Sequence, residues 1–136
     1  MALLTQIATD RRHRPDALLL LQFDARRRAN SILALVGAHV HGTDPVGMID
    51  DAIVIVCSDT ARDNAIAVAD RLRQVVFEKA SLGWAFWRRQ SVSVGVSPRD
   101  FIHGDTAESW LTRSRIALDR AQGLGGNRVE YEPIQY

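Results

Sequence analysis

Residues 46–57 read VGMIDDAIVIVC. Val46–Ile49 and Ile53–Cys57 have the apolar, β-branched character of strands, and the acidic pair Asp50-Asp51 between them predicts a tight reversal. The stretch is therefore a β-hairpin. From Ala52 to Cys57 every residue is apolar, as in a strand covered on both faces. Two carboxylates at the mouth of such a strand are either a solvated turn or what remains of a metal-binding turn.

Working outward, ALLLLQF (17–23) is a second continuous apolar run of strand length. Residues 26–39 suit a helix with Ile32, Leu33, Leu35 and Val36 on one side, and Thr43-Asp44-Pro45 makes a turn before the hairpin. Behind the hairpin, Ser58-Asp59-Thr60 offers N-cap candidates for a helix over 61–80, where Ala65, Ile66, Ala69, Leu72 and Val76 recur at helical spacing. SVSVGVS (91–97) alternates valine with small residues, which predicts a strand. Thr106 to Gln122 reads as a helix, the glycines of 123–126 as its C-terminal turn, and Arg128–Tyr131 as a last strand. A short helix or arm precedes all of this, over residues 1–16, and residues 133–136 form a tail.

The resulting order, βαββαβαβ, predicts an α+β domain over 17–132. Its ferredoxin-like βαββαβ core carries an added αβ unit, with an antiparallel-containing central sheet flanked by helices. At 136 residues the chain implies one domain, able to bury about two thirds of its unfolded surface. A net charge of +1 argues against bulk attraction to polyanions, although Arg26, Arg27 and Arg28 offer a possible anion contact. No apolar run approaches the roughly 20 residues of a membrane span, and the lone Cys57 excludes an internal disulfide. A cytoplasmic address is the expectation.

Side chains that could carry chemistry are sparse. The glycine run follows a helix and precedes a strand, the opposite of a dinucleotide-binding loop. His13, His39, His41 and His103 are scattered and lack convergent partners for zinc. Ser91 and Ser93 have no base to activate them, so strand packing is their expected role. Trp84, Phe86, Trp87, Arg88 and Arg89 lie close together; such a group packs into the core or forms a protein interface.

VSVGVS, the helix ending Leu118–Ala121, and GLGGNRVEY (123–131) together resemble the C-terminal half of GGDEF domains, the diguanylate cyclases that make cyclic di-GMP from GTP. AIVIVCSDTARDNAIAVADRLRQVV (52–76) and ALLLLQFD (17–24) are similar to further parts of that family, so the likeness spans residues 17–132. In this register the signature falls on Ile49-Asp50-Asp51-Ala52-Ile53. Cyclases place two glycines and then the catalytic acid there, because a backbone without Cβ approaches the nucleotide closely. Asp51 keeps the acidic position. The family's first metal-binding Asp falls on Gln22 and its second acidic position on Asp24; its phosphate-binding Lys falls on Gln122 and the Arg of its last turn on Gly126. Residues 25–48 leave no room for the guanine-binding loop, and His41 stands where the product-inhibition motif has its Arg.

The resemblance thus implies a truncated, degenerate GGDEF-like domain of bacterial type, without cofactor or metal. It would act as a regulatory or scaffolding unit that binds another protein or a second copy of itself, in a cyclic di-GMP-linked process such as exopolysaccharide production. The alternative is a sensor that binds cyclic di-GMP or GTP without turnover. Nucleic-acid binding is not expected, since the central strands lack paired aromatics.

Overall fold

A computed structural model describes residues 2–24, 32–40, 42, 44–79 and 90–135. Along them lie α1 (Ala2–Ala8), β1 (Ala17–Phe23), α2 (Leu33–Ala38), β2 (Val46–Ile49), β3 (Ala52–Cys57), α3 (Arg62–Lys79), β4 (Val92–Pro98), α4 (Ala107–Gly123) and β5 (Val129–Tyr131). The strands form one mixed sheet in the order β2-β3-β1-β4-β5. Only the β4–β5 pair is parallel, and α4 makes the crossover that parallel neighbours require.

β1 and β3 carry long apolar runs because both faces of the sheet are covered. Leu19, Leu21, Ile53 and Ile55 pack with Val36 of α2 and with Ala65, Ala69, Leu72 and Val76 of α3. Leu18, Leu20, Val54 and Val56 pack on the opposite face with Leu4 and Ala8 of α1 and with Trp110 and Leu118 of α4. The βαββαβ core therefore carries its helices on one side, as in the ferredoxin-like pattern, and the added α4 lies on the other with α1.

β4 shows why its residues alternate. Val92, Val94 and Val96 join the α2–α3 core, whereas Ser93, Gly95 and Ser97 face α4. A Cβ at Gly95 would stand 2.1 Å from the Ser114 carbonyl oxygen and 2.5 Å from the Leu118 nitrogen. Ser97 Oγ lies 2.6 Å from Ser114 Oγ, and Ser114 Oγ donates to the Leu18 carbonyl at 2.9 Å. Buried hydroxyls are thus paired where the helix backbone comes too close for an apolar branch.

Boundaries shift modestly from the sequence reading. β3 begins at Ala52 because Ile49 and Ala52 already pair, leaving Asp50 and Asp51 alone in the turn. The helix expected over 26–39 runs Leu33–Ala38, and residues 25–31 lie outside the described residues. Thr60, an N-cap candidate for α3, donates its hydroxyl to the Ser58 carbonyl at 2.9 Å and so closes the turn before the helix. α4 starts as the sequence predicts: Ser109 N–H donates to Thr106 Oγ1, and Thr106 N–H to Ser109 Oγ, both at 3.0 Å. It ends in the glycine turn, where Gly126 N–H donates to the Ala121 carbonyl at 2.9 Å.

Candidate functional site

The residues singled out by the resemblance converge on one end of the sheet. β1 finishes there with Gln22 and Asp24, β3 begins there, and the last turn of α4 with the glycine turn lies above. Gln22 has the same strand parity as Leu18 and Leu20, so it faces α4. Gln122 Nε2 donates to Gln22 Oε1 at 3.2 Å. The two positions onto which the resemblance maps a metal-binding Asp and a phosphate-binding Lys are thus a contacting pair of neutral amides.

Asp24 is taken up by the protein itself. Its carboxylate accepts from Ser91 Oγ at 2.5 Å, from Ser93 Oγ at 2.6 Å and from the Asn127 N–H at 2.8 Å. A carboxylate has about four lone-pair sites, and here most of them fasten the start of β4 and the final turn to the end of β1. This gives Ser91 and Ser93 a role as donors to Asp24. Gly126 completes the fit: its φ is +74°, and a Cβ there would meet the Asp24 carboxylate at 2.6 Å. A side chain at this position, onto which the resemblance places the family's Arg, would require the Asp24 carboxylate to shift.

The signature stretch divides by parity. Ile49 is half-buried against the α1–α4 core, Ala52 is buried in that core, and Ile53 is buried in the other. Asp50 and Asp51 are exposed in the turn, with Asp50 at φ +54°. The acidic pair is therefore the solvated reversal of the hairpin. Arg26, Arg27 and Arg28, like Trp84, Phe86, Trp87, Arg88 and Arg89, lie outside the described residues, as does His41.

Among the described residues, no three His, Cys, Asp or Glu side chains stand together in a group that could hold a metal ion. His39 Nδ1 lies 2.9 Å from the Leu35 carbonyl, and His13 faces the Phe101 ring at 5.8 Å between centroids. Burial pushes the Cys57 thiol up to about 12, with the Asp44 carboxylate acting in the same direction and Arg71 opposing it. No described helix is long and apolar enough to cross a membrane.

One constellation was not anticipated. Arg99, in the connection between β4 and α4, is 1% exposed. Its Nε donates to Asp16 Oδ2 at 2.9 Å, and its two terminal nitrogens donate to the carbonyls of Asp10, Arg12 and Arg14. The signal was present in the register: Ala17 pairs with Pro98, so Asp16 and Arg99 flank the same rung of the sheet.

No protein-family model and no curated protein matches the chain. Solved structures do. The GGEEF domain of a diguanylate cyclase from Vibrio cholerae superposes with a TM-score of 0.75 at 17% identity, over 90% of this chain and 85% of that one. The GGDEF domain of YfiN from Pseudomonas aeruginosa gives 0.76 at 13% identity, over 98% and 96%. The diguanylate cyclase SiaD of the same organism, solved in complex with its activator SiaC, gives 0.77 at 17% identity, over 93% of this chain and 54% of that one. A mixed five-stranded sheet in the order β2-β3-β1-β4-β5, helices on both faces and these superpositions agree: the chain has the fold of a GGDEF domain.

Proposed function

We propose that this chain is a non-catalytic GGDEF-type domain that works in the cytoplasm by binding another protein, in a process governed by cyclic di-GMP. The observation that carries the reading is the Gln22–Gln122 contact, 3.2 Å between neutral amides. Phosphoryl transfer to a second nucleotide needs cations held by carboxylates, and positive charge on the phosphates. Neither amide supplies either. Asp24, the acid just past the end of β1, is already engaged by Ser91, Ser93 and Asn127. Without groups that bind the developing charge more tightly than the ground state, nucleotide binding alone does not accelerate the reaction. SiaD, which matches this fold over 54% of its chain, was solved in complex with its activator SiaC, and that association supports a protein-binding role.

The test is an assay of the purified protein with GTP and Mg²⁺. Cyclic di-GMP should not rise above a no-protein control. Turnover that disappears on Asp51→Ala overturns the proposal. Calorimetric titration with GTP and cyclic di-GMP separates the remaining choice: saturable heat in the absence of turnover makes the domain a ligand sensor.

A further inference from the structure

We propose that the open edge of β2 is a docking strand for an extended segment of a partner protein, with alternating apolar residues and a basic residue at each end. The inference rests on the protein-binding reading above and names its surface.

β2 is the terminal strand of the sheet, joined only to β3 among the described residues. The Val56 N–H donates to the Pro45 carbonyl at 3.1 Å, and Gly47 pairs with Val54 and Ile49 with Ala52. Hydrogen-bonded rungs of an antiparallel ladder come at every second residue. Pro45, Gly47 and Ile49 therefore turn their polar groups toward β3. The N–H and C=O of Val46 and Met48 point away from the sheet, into position to pair with another strand.

Beside this edge, on the α1 face, lies an apolar groove lined by Leu3, Leu4, Gly47, Ile49, Val54 and Val56. Leu3 is 53% exposed, which is large for a leucine next to a core. A Cβ built on Gly47 meets nothing within 4 Å. The groove thus has room for side chains carried by a strand that pairs with Val46 and Met48.

Charge identifies the occupant. Asp44 stands just before the strand, and the exposed Asp50 and Asp51 just after it. A second copy of β2 would satisfy all the outward groups in the antiparallel register that sets Val46 opposite Met48. That register sets Asp44 opposite Asp50 at both ends, and like charges directly across a ladder are destabilising. The edge is guarded against its own copy. A strand with Arg or Lys at its ends meets the same carboxylates favourably.

The probe is a synthetic peptide, Arg-Thr-Val-Thr-Ile-Thr-Val-Arg, with a twin carrying Glu at both ends. The full chain labelled with ¹⁵N is titrated with each. The Arg-ended peptide should slow amide exchange at Val46 and Met48 by about tenfold or more while leaving Gly47 unchanged, and the Glu-ended twin should not bind. Asp44→Asn combined with Asp51→Asn should weaken binding by about tenfold at low salt, an effect that salt erases. Met48→Pro removes an outward donor and a side chain packed on the α2–α3 core but no donor of the β2–β3 ladder, so it should keep that ladder and abolish binding. The proposal is overturned if the Arg-ended peptide does not bind, if protection maps elsewhere, or if both peptides bind alike. It is overturned equally by a dimer in sedimentation that Met48→Pro dissolves, since the occupant would then be a second copy. Should Met48→Pro unfold, the amide map on the unmodified chain still decides. Failure of the peptide with a blank cyclase assay removes this surface alone, whereas GTP turnover removes the protein-binding reading itself.

Discussion

Asp50 carries a Cβ at φ +54°, in the left-handed region that favours glycine. That conformation costs a typical L-residue about 1–2 kcal/mol, somewhat less for Asp, whose short polar chain tolerates it. Asp50 is also exposed, so little is gained in return. Asp50→Gly should therefore stabilise the domain by about 0.5 kcal/mol in urea unfolding, after the entropy that glycine adds to the unfolded chain. A loss of stability would show that the carboxylate makes a contact that offsets its strain. Cys57 is the opposite case, a side chain wholly inside. In the unfolded chain its thiol gives up its proton near the ordinary value of 9.0; in the folded chain, burial holds it to about 12. Between those values the unfolded state binds fewer protons than the native state, so stability falls as pH rises through the window. Cys57→Ala should flatten that alkaline decline. Ellman's reagent at pH 8 should leave the native thiol untouched, and a rapid reaction without denaturant would contradict its burial.

At the scale of elements, β4 was legible because alternation is a local signal and its valines all meet one core. β1, the hairpin, α3 and α4 were legible for similar reasons: unbroken apolar runs, helical spacing and a glycine stop. What a one-dimensional pattern leaves unsaid is distance. Alternation sets the small residues of β4 opposite its valines without saying what covers them; they are the buried seat of α4, because Gly95 lets the helix backbone come closer than a Cβ would allow. The consequence is testable. Gly95→Ala places a carbon against the backbone atoms of Ser114 and Leu118, which cannot rotate away as a flexible side chain would. Overpacking of this kind should cost about 3 kcal/mol. It should also displace α4 and with it Gln122 and the final turn. Chemical-denaturant midpoints for Gly95→Ala beside Gly123→Ala give the comparison, because a Cβ at Gly123 meets nothing within 4 Å. Equal effects at the two glycines would mean that α4 sits farther from the sheet.

For the whole molecule, the candidate site was half legible. The resemblance located Gln22, Gln122, Gly126 and the acidic turn, but not that the two glutamines touch or that Asp24 is bound by Ser91, Ser93 and Asn127. Those contacts join residues far apart in the chain, which no periodicity encodes. The same holds for the N-terminal arm, where Arg11 and Arg12 are exposed. Arg14 instead pairs with Asp16 at 3.2 Å, and the arm's carbonyls at Asp10, Arg12 and Arg14 turn inward to Arg99. Arg99 reaches Asp16 across 83 residues of sequence, so it ties the arm that carries α1 to the rung where β1 meets β4. Removing one partner of a buried ion pair leaves the other charge uncompensated, at a cost of about 3–5 kcal/mol. That is a large part of the 5–15 kcal/mol or so that a domain commands. Arg99→Ala should lower stability by about that amount. Arg99→Lys should rescue little, because a single ammonium cannot serve a carboxylate and separate carbonyls in the planar fork that arginine offers. Exchanging the pair for apolar residues, Arg99→Met with Asp16→Leu, should also fail to recover it, since the carbonyls would remain without donors. Denaturant unfolding measures the loss, and limited proteolysis within residues 9–16 locates it: the arm should become cleavable in Arg99→Ala while β1 to β5 stay protected. A full rescue by the apolar pair would show that the carbonyl contacts carry no weight, and that the arm is held by the packing of Leu4 and Ala8 alone.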